Sequence, residues 1–212
     1  MYIQDSGEDE NYRLYAVNID GSGFRELTPF EGVQAGIVDP LEDNDIEMLI
    51  SLNRRDPKVF DVYRINIYKG AMELVAENPG NVSEWLADND GQLRVAVTTD
   101  GVQSSLLYRE TEKDPFRTVV TTDFKNTLDP LFFSFDNQRL YVASNIGRDK
   151  MAIYLYDVKA AKFLDLIYEH PEPDDVRDGR RPGQRPETSE TGVAGVSRRQ
   201  YQSPAAGGPG RQ

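Results

Sequence analysis

Apolar and polar residues alternate with a period of two through most of the chain up to Glu172, in short runs separated by polar turns. "MLISLN" (48–53), "LRVAVTT" (93–99) and "LYVAS" (140–144) each set apolar side chains on one face of an extended segment, as a half-buried strand requires. A polar step suited to a tight turn precedes each: Asn44-Asp45, Asn89-Asp90 and Asp136-Asn137, spaced 45 and 47 residues apart. The strands keep that spacing. Met48, Leu93 and Leu140 open them, and Ile50, Val95 and Val142 are expected to share a face.

The flanking text repeats in step. Upstream of each turn lies a segment able to pair with the strand after it: "VQAGIVDP" (33–40), "VSEWLA" (82–87) and "LDPLFFS" (128–134). Downstream come "RLYAVNI" (13–19), "DVYRINI" (61–67), "SLLYRET" (105–111) and "IYLYDVK" (153–159), with Tyr15, Tyr63, Tyr108 and Leu155 in one column. A fourth strand closes each unit: "FRELTPF" (24–30), "AMELVAE" (71–77), "FRTVVTT" (116–122) and "FLDLIYE" (163–169). Four short strands per 45 to 48 residues is the spacing of a β-propeller blade. A β-sandwich also has closely spaced turns, but it does not predict the same turn and strand text returning over several periods. The expected fold is therefore all-β, a partial β-propeller of about three and a half four-stranded blades, at 1–31, 32–80, 81–126 and 127–172. The first unit starts inside its second strand, so the chain is expected to be a fragment of a larger propeller.

Composition changes sharply at Pro173. Residues 173–212 contain seven Arg, seven Gly and five Pro, and no Lys, Leu, Ile, Phe or Trp. Such a segment buries too little apolar surface to offset its ordering entropy, and a disordered tail is expected, with out-of-frame translation as an alternative origin. The net charge of -12 argues against nucleic acid or an anionic membrane as partner. Zero cysteines exclude disulfides and thiol catalysis, and one histidine without cysteine argues against zinc. No cofactor is indicated. The N-terminal "MYIQDSGEDENYR" lacks the basic and apolar regions of a secretory signal, and the compartment stays open.

"NDGQL" (89–93) and "SFDNQRL" (134–140) resemble the turn-and-strand signature of TolB-like propeller repeats, without its proline. Together with "YAVNIDGSGFRELTPF" (15–30) and "RINIYKGAMELVAENPGNVSEWLADNDG" (64–91), residues 1–172 resemble the N-terminal propeller of a bacterial prolyl oligopeptidase-family serine peptidase. WD-repeat propellers fit worse, since no Gly-His or Trp-Asp pair recurs and Trp85 is the only tryptophan. The resemblance implies a propeller that restricts access to a C-terminal α/β-hydrolase domain, which carries the catalytic serine, aspartate and histidine and acts on peptides. None of these residues transfers to this chain. A TolB-like propeller that binds proteins without catalysis is the alternative.

The sequence itself contains no G-x-S-x-G nucleophile elbow, and His170, in "YEHPEP", has no serine to serve. The acidic turns "EDNDIE" (42–47) and "DNDG" (88–91) do not fit a calcium loop: with Gly91 at position 6, positions 1 and 12 fall on Leu86 and Val97. They read as hairpin turns. "IDGSGF" (19–24) lacks the helix and lysine of a phosphate loop and reads as a strand connection. Tyr15, Tyr63 and Tyr108 are expected in inter-blade packing, and Trp85-Leu86 and Phe132-Phe133 near the innermost strands. In "NRRDPK" (53–58) and "NIGRDK" (145–150), Arg54, Arg55 and Arg148 follow the second strand of their units. These arginines are the candidate rim contacts to a hydrolase domain or to substrate carboxylates, for which a guanidinium fork is suited.

Overall fold

The computed structural model describes residues 1–5 and 11–169; the expected tail, 173–212, and His170 lie outside the described residues. Among the described residues, fifteen strands form four antiparallel sheets, each a meander in chain order. The first has three strands, β1 (Tyr2–Asp5), β2 (Tyr12–Ala16) and β3 (Arg25–Glu26). The second comprises β4 (Ala35–Asp39), β5 (Glu47–Asp56), β6 (Val59–Asn66) and β7 (Met72–Ala76). The third holds β8 (Val82–Ala87), β9 (Leu93–Thr99), β10 (Gln103–Tyr108) and β11 (Arg117–Asp123). The fourth holds β12 (Leu128–Phe133), β13 (Leu140–Ser144), β14 (Ala152–Asp157) and β15 (Lys162–Glu169). The described residues contain no helix. The fold is all-β, a partial β-propeller.

Sheets pack face to face in sequence order, each pair around its own apolar cluster. Leu14, Ala16 and Leu27 of the first sheet meet Met48, Ile50, Leu52 and Ile65 of the second. On the second sheet's other face, Leu49 and Val62 meet Ala87 and Leu93 of the third. Val95, Val97, Leu106 and Tyr108 of the third then meet Leu140, Val142 and Tyr156 of the fourth. Strand β8 touches both β4 and β12, so these three first strands form the inner edge of the array.

Two details depart from the sequence expectation. The first is a bulge. Ala87 pairs with Leu93, but the next residue back, Leu86, pairs with Val95, which leaves Arg94 as an extra residue on β9. Because side chains alternate between faces, one extra residue reverses the face of everything after it. Val95 therefore turns toward the fourth sheet, whereas Ile50 and Val142 turn toward the sheet before their own. Ala96 takes the place expected for Val95. The same shift carries through β10 and puts Leu107, the partner of Ala96, where Tyr108 was expected. In the fourth sheet Val142 pairs with Tyr154, so Tyr154 and not Leu155 continues the column of Tyr15 and Tyr63.

The second departure is in the first sheet. The strand expected over 13–19 stops at Ala16, because Asn18 N–H donates to Ser22 O and Gly21 N–H to Asn18 O, closing a turn. The strand expected over 24–30 shortens to Arg25–Glu26. Beyond it the pairing continues partly through a side chain: Leu14 N–H donates to Thr28 Oγ1 at 2.9 Å.

Candidate functional site

Since strands alternate in direction, the turn between the first and second strands of each sheet and the turn between the third and fourth emerge at the same end. This turn face carries a dense polar network among the described residues. In the third sheet Asp88 begins a tight turn: Gly91 N–H donates to Asp88 O, and Asp88 N–H to Gln92 O. Gly91 closes it at φ +75°, a left-handed conformation that favours glycine. In the fourth sheet Asn137 fills that role at φ 56°, which asparagine tolerates. The structurally matched pair is thus Gly91 and Asn137, one residue away from the expected alignment of the two turns.

The turns lock to one another. Asn89 N–H donates to Asn137 Oδ1 at 2.9 Å, the Asn89 side-chain amide donates to Ser134 O at 2.8 Å, and Asn137 Nδ2 donates to Asp90 Oδ2 at 2.9 Å. Leu41, held at φ 52° in the second sheet's turn, lies against Gly91 so closely that an added Cβ would sit 3.0 Å from its methyl.

Arginines fasten the same end. Arg94, the bulge residue, is buried and donates from Nη1 to Asp88 Oδ2 at 3.0 Å and to Asn137 O at 3.0 Å, and from Nη2 to the Tyr108 hydroxyl. Burial alone would pull its guanidinium down, but Asp88 and Tyr108 together outweigh that effect and hold it above its ordinary range. Tyr108 donates in turn to Glu110 at 2.8 Å; burial and that carboxylate push its phenol up to about 12. Arg64 reaches forward from the second sheet to Gly91 O at 2.9 Å and to Glu112 Oε1 at 2.8 Å. Arg109 reaches back from the third sheet, donating to Leu93 O at 2.7 Å and to Val75 O at 3.4 Å. Arg64 and Arg109 both follow a tyrosine and are 45 residues apart, a recurrence that marks them in the sequence. Their opposite directions follow from the bulge at Arg94.

Between the turns lies an open cleft of about 770 Å³. Leu41, Ile46 and Phe135 form its apolar walls, and six carboxylates, Asp39, Glu42, Asp43, Asp45, Asp88 and Asp90, line the rest. Three of the six are engaged locally. Asp88 holds Arg94, Asp39 accepts the Leu41 N–H, and Asp90 accepts from Asn137. Among the described residues no three carboxylates or histidines are arranged to hold a metal ion.

The predicted rim arginines sit at the opposite end. Arg54 and Arg55 lie within β5, which runs on to Asp56 and pairs it with Val59. The guanidinium of Arg54 stacks over Phe30, 4.4 Å from the ring centroid. Arg55 forks onto Asp61, with Nε to Oδ2 at 2.9 Å and Nη2 to Oδ1 at 2.8 Å, and also donates to Asn78 O. Burial raises the Asp61 carboxyl, but Arg55 and the Asn78 N–H outweigh it and leave it below the usual range. Arg148, between β13 and β14, donates to Glu169 and to the Tyr154 hydroxyl. Arg55 and Arg148 therefore act first as cross-strand ties within this chain.

No family model matches the chain. It is 28% identical over 182 residues to dipeptidyl aminopeptidase BIII of Pseudoxanthomonas mexicana, covering 82% of this chain and 25% of that protein. It is 23% identical over 187 residues to dipeptidyl peptidase family member 6 of Caenorhabditis elegans, covering 79% of this chain and 25% of that protein. Among solved structures, puromycin hydrolase superposes with a TM-score of 0.55 at 12% identity, over 79% of this chain and 29% of that one. TolB from Acinetobacter baumannii gives 0.52 at 12% identity, over 76% and 38%. The chain is similar to the propeller portion of prolyl oligopeptidase-family peptidases. It spans about a quarter of the length of the curated relatives it matches. The two structural likenesses bear on fold alone, and they support a propeller with TolB-like neighbours.

Proposed function

We propose that this chain is the non-catalytic, substrate-gating portion of a serine peptidase that acts on peptides. In this reading the nucleophile and its base reside in an α/β-hydrolase domain elsewhere in a longer protein. The observation that carries it is the 182-residue match to one quarter of a dipeptidyl aminopeptidase, falling on a chain whose described part is propeller sheet throughout. The absence of a nucleophile elbow from all 212 residues agrees. Blade units at 1–31, 32–80, 81–126 and 127–172 belong to the same proposal. So does a rim role for Arg54, Arg55 and Arg148; of the three, the Arg54 guanidinium stacks on Phe30 and makes no hydrogen bond within the described residues, whereas Arg55 and Arg148 are also tied to neighbouring strands.

The test is hydrolysis of a graded series of peptides, from dipeptide to small protein, by the longer polypeptide encoded with this chain and by the isolated chain. The isolated chain is expected to be inactive. The longer polypeptide is expected to cleave short peptides and spare folded protein, and to lose that size selection when sheets of this chain are deleted. Unchanged size selection would defeat the gating role. Turnover that copurifies with the isolated chain would defeat the non-catalytic one. A longer polypeptide with no peptidase activity would favour the TolB-like interaction module instead.

A further inference from the structure

The cleft on the turn face has a shape and a charge that the gating proposal does not use. Its volume, about 770 Å³, falls in the range of roughly 300–1,000 Å³ typical of ligand pockets. Its walls are apolar where they project: Phe135 is 84% exposed and Ile46 is 51% exposed, and both line the cleft. Exposed apolar side chains beside a concavity give an apolar group of a ligand a surface to bury. Between them, Glu42, Asp43 and Asp45 make no ion pair with any described residue. The turns that frame the cleft are tied to one another. Leu41 packs on Gly91, Arg64 holds Gly91 O, and Asn89 is tied to the fourth sheet's turn, so an occupant meets a preformed groove.

We infer that this groove docks a peptide segment carrying a lysine or arginine beside a large apolar residue. The apolar side chain seats against Ile46 and Phe135. The basic head group meets Glu42, Asp43 and Asp45, and its aliphatic stem lies along Leu41. The identification of the occupant as a peptide rests on the gating proposal; its charge and apolar character rest on the groove alone. Substrates with basic residues would then be concentrated at this end, and acidic ones repelled.

The test uses the full 212-residue chain and two N-acetylated, C-amidated hexapeptides, so that only side chains carry charge. One pairs Leu with Lys and Arg, and the other replaces both basic residues with Glu. Titration calorimetry at low and at physiological salt is expected to give binding of the basic peptide roughly tenfold tighter than of the acidic one, weakening with salt. Asp43→Asn with Asp45→Asn is expected to lower that affinity roughly tenfold, and Phe135→Ala to lower it for both peptides. Asp165→Asn, on β15, serves as the charge control and is expected to change nothing. All three altered residues of the groove are exposed, so circular dichroism spectra should be those of the parent chain. Equal binding of the two peptides, no binding of either, or indifference to the Asp43, Asp45 and Phe135 substitutions each overturns the inference. Failure of the gating reading would show differently, as peptide-length selection in the longer polypeptide that ignores these sheets.

Discussion

Arg94 concentrates the energetics of the turn face in one side chain. It is a buried cation whose partners, Asp88, Asn137 O and the Tyr108 hydroxyl, come from two sheets. Taking both charges of such a pair out of water is costly, so the pair as a whole contributes little net stability. Removing one member is another matter, because the remaining charge stays buried without its counterion. Arg94→Met should therefore cost about 3 kcal/mol in urea denaturation. Asp88→Asn added to it should recover part of that loss, since the amide oxygen still accepts the Asp90 and Gln92 N–H groups while the stranded charge is gone. A single variant as stable as the parent would show that Asp88 finds water in the folded state. Nothing in "QLRVAV" announces a buried arginine: a half-buried strand would leave the residue between Leu93 and Val95 to solvent, whereas the fourth sheet covers the face that Arg94 occupies.

At the scale of strands and turns, the period was legible because it rests on composition: polar turns, apolar alternation and their spacing all survive small irregularities. The faces were less legible. A bulge adds one residue without changing residue type, so Val95 and Tyr108 kept their apolar and aromatic character while moving to the other side of the third sheet. The cleft was legible only as acidic turns, because nothing local tells that residues 42–45, 88–91 and 135 converge. Gly91 shows how such convergence constrains a single turn. Gly91→Ala places a Cβ in a left-handed conformation and against Leu41, and should cost about 1–2 kcal/mol. Shortening the opposing side chain, Leu41→Ala, should not simply add to that cost, because it removes the clash. Strict additivity in a double-mutant cycle would place the whole penalty in the backbone.

The inner strands offer a pH test. Glu84 on β8 and Asp129 on β12 are exposed residues of neighbouring first strands; the partial burial of their carboxyls raises both, and the Asp129 charge raises Glu84 further. A carboxyl whose folded pKa lies above its unfolded value stabilises the fold fully below the unfolded value, near 4. That contribution is lost as pH rises through the folded value. Stability contributed by this pair should thus fall as pH rises above about 4, opposite in sign to the contribution of Asp61. Glu84→Gln should be more stable than the parent at pH 7 and indistinguishable from it near pH 4, by urea midpoints. A variant weaker than the parent at pH 7 would mean that Glu84 has a favourable partner when ionised.

For the whole molecule, the sheets form a series in which each apolar cluster is shared by neighbours only. Stability in such an array is close to a sum of sheet and interface contributions, and it separates into parts at the weakest joint. The joint between the second and third sheets has the smallest buried cluster, Leu41, Leu49, Val62, Ala87 and Leu93. Much of the remaining connection there is polar, through Arg64 and Arg109. Leu49→Ala removes buried side chain from the centre of that joint and should cost about 2–5 kcal/mol. Trp85, the only tryptophan, packs on the same cluster and against Phe116, so its fluorescence reports this joint, whereas far-ultraviolet circular dichroism reports all four sheets. In the parent the two probes should give one coincident urea transition. In Leu49→Ala the fluorescence midpoint should move to lower urea than the dichroism midpoint, because the third and fourth sheets, joined by the larger cluster around Val95, Tyr108 and Val142, remain folded after the joint opens. Coincident transitions in the variant would show instead that the four sheets fold as one unit, with the arginine ties carrying cooperativity across a small apolar contact.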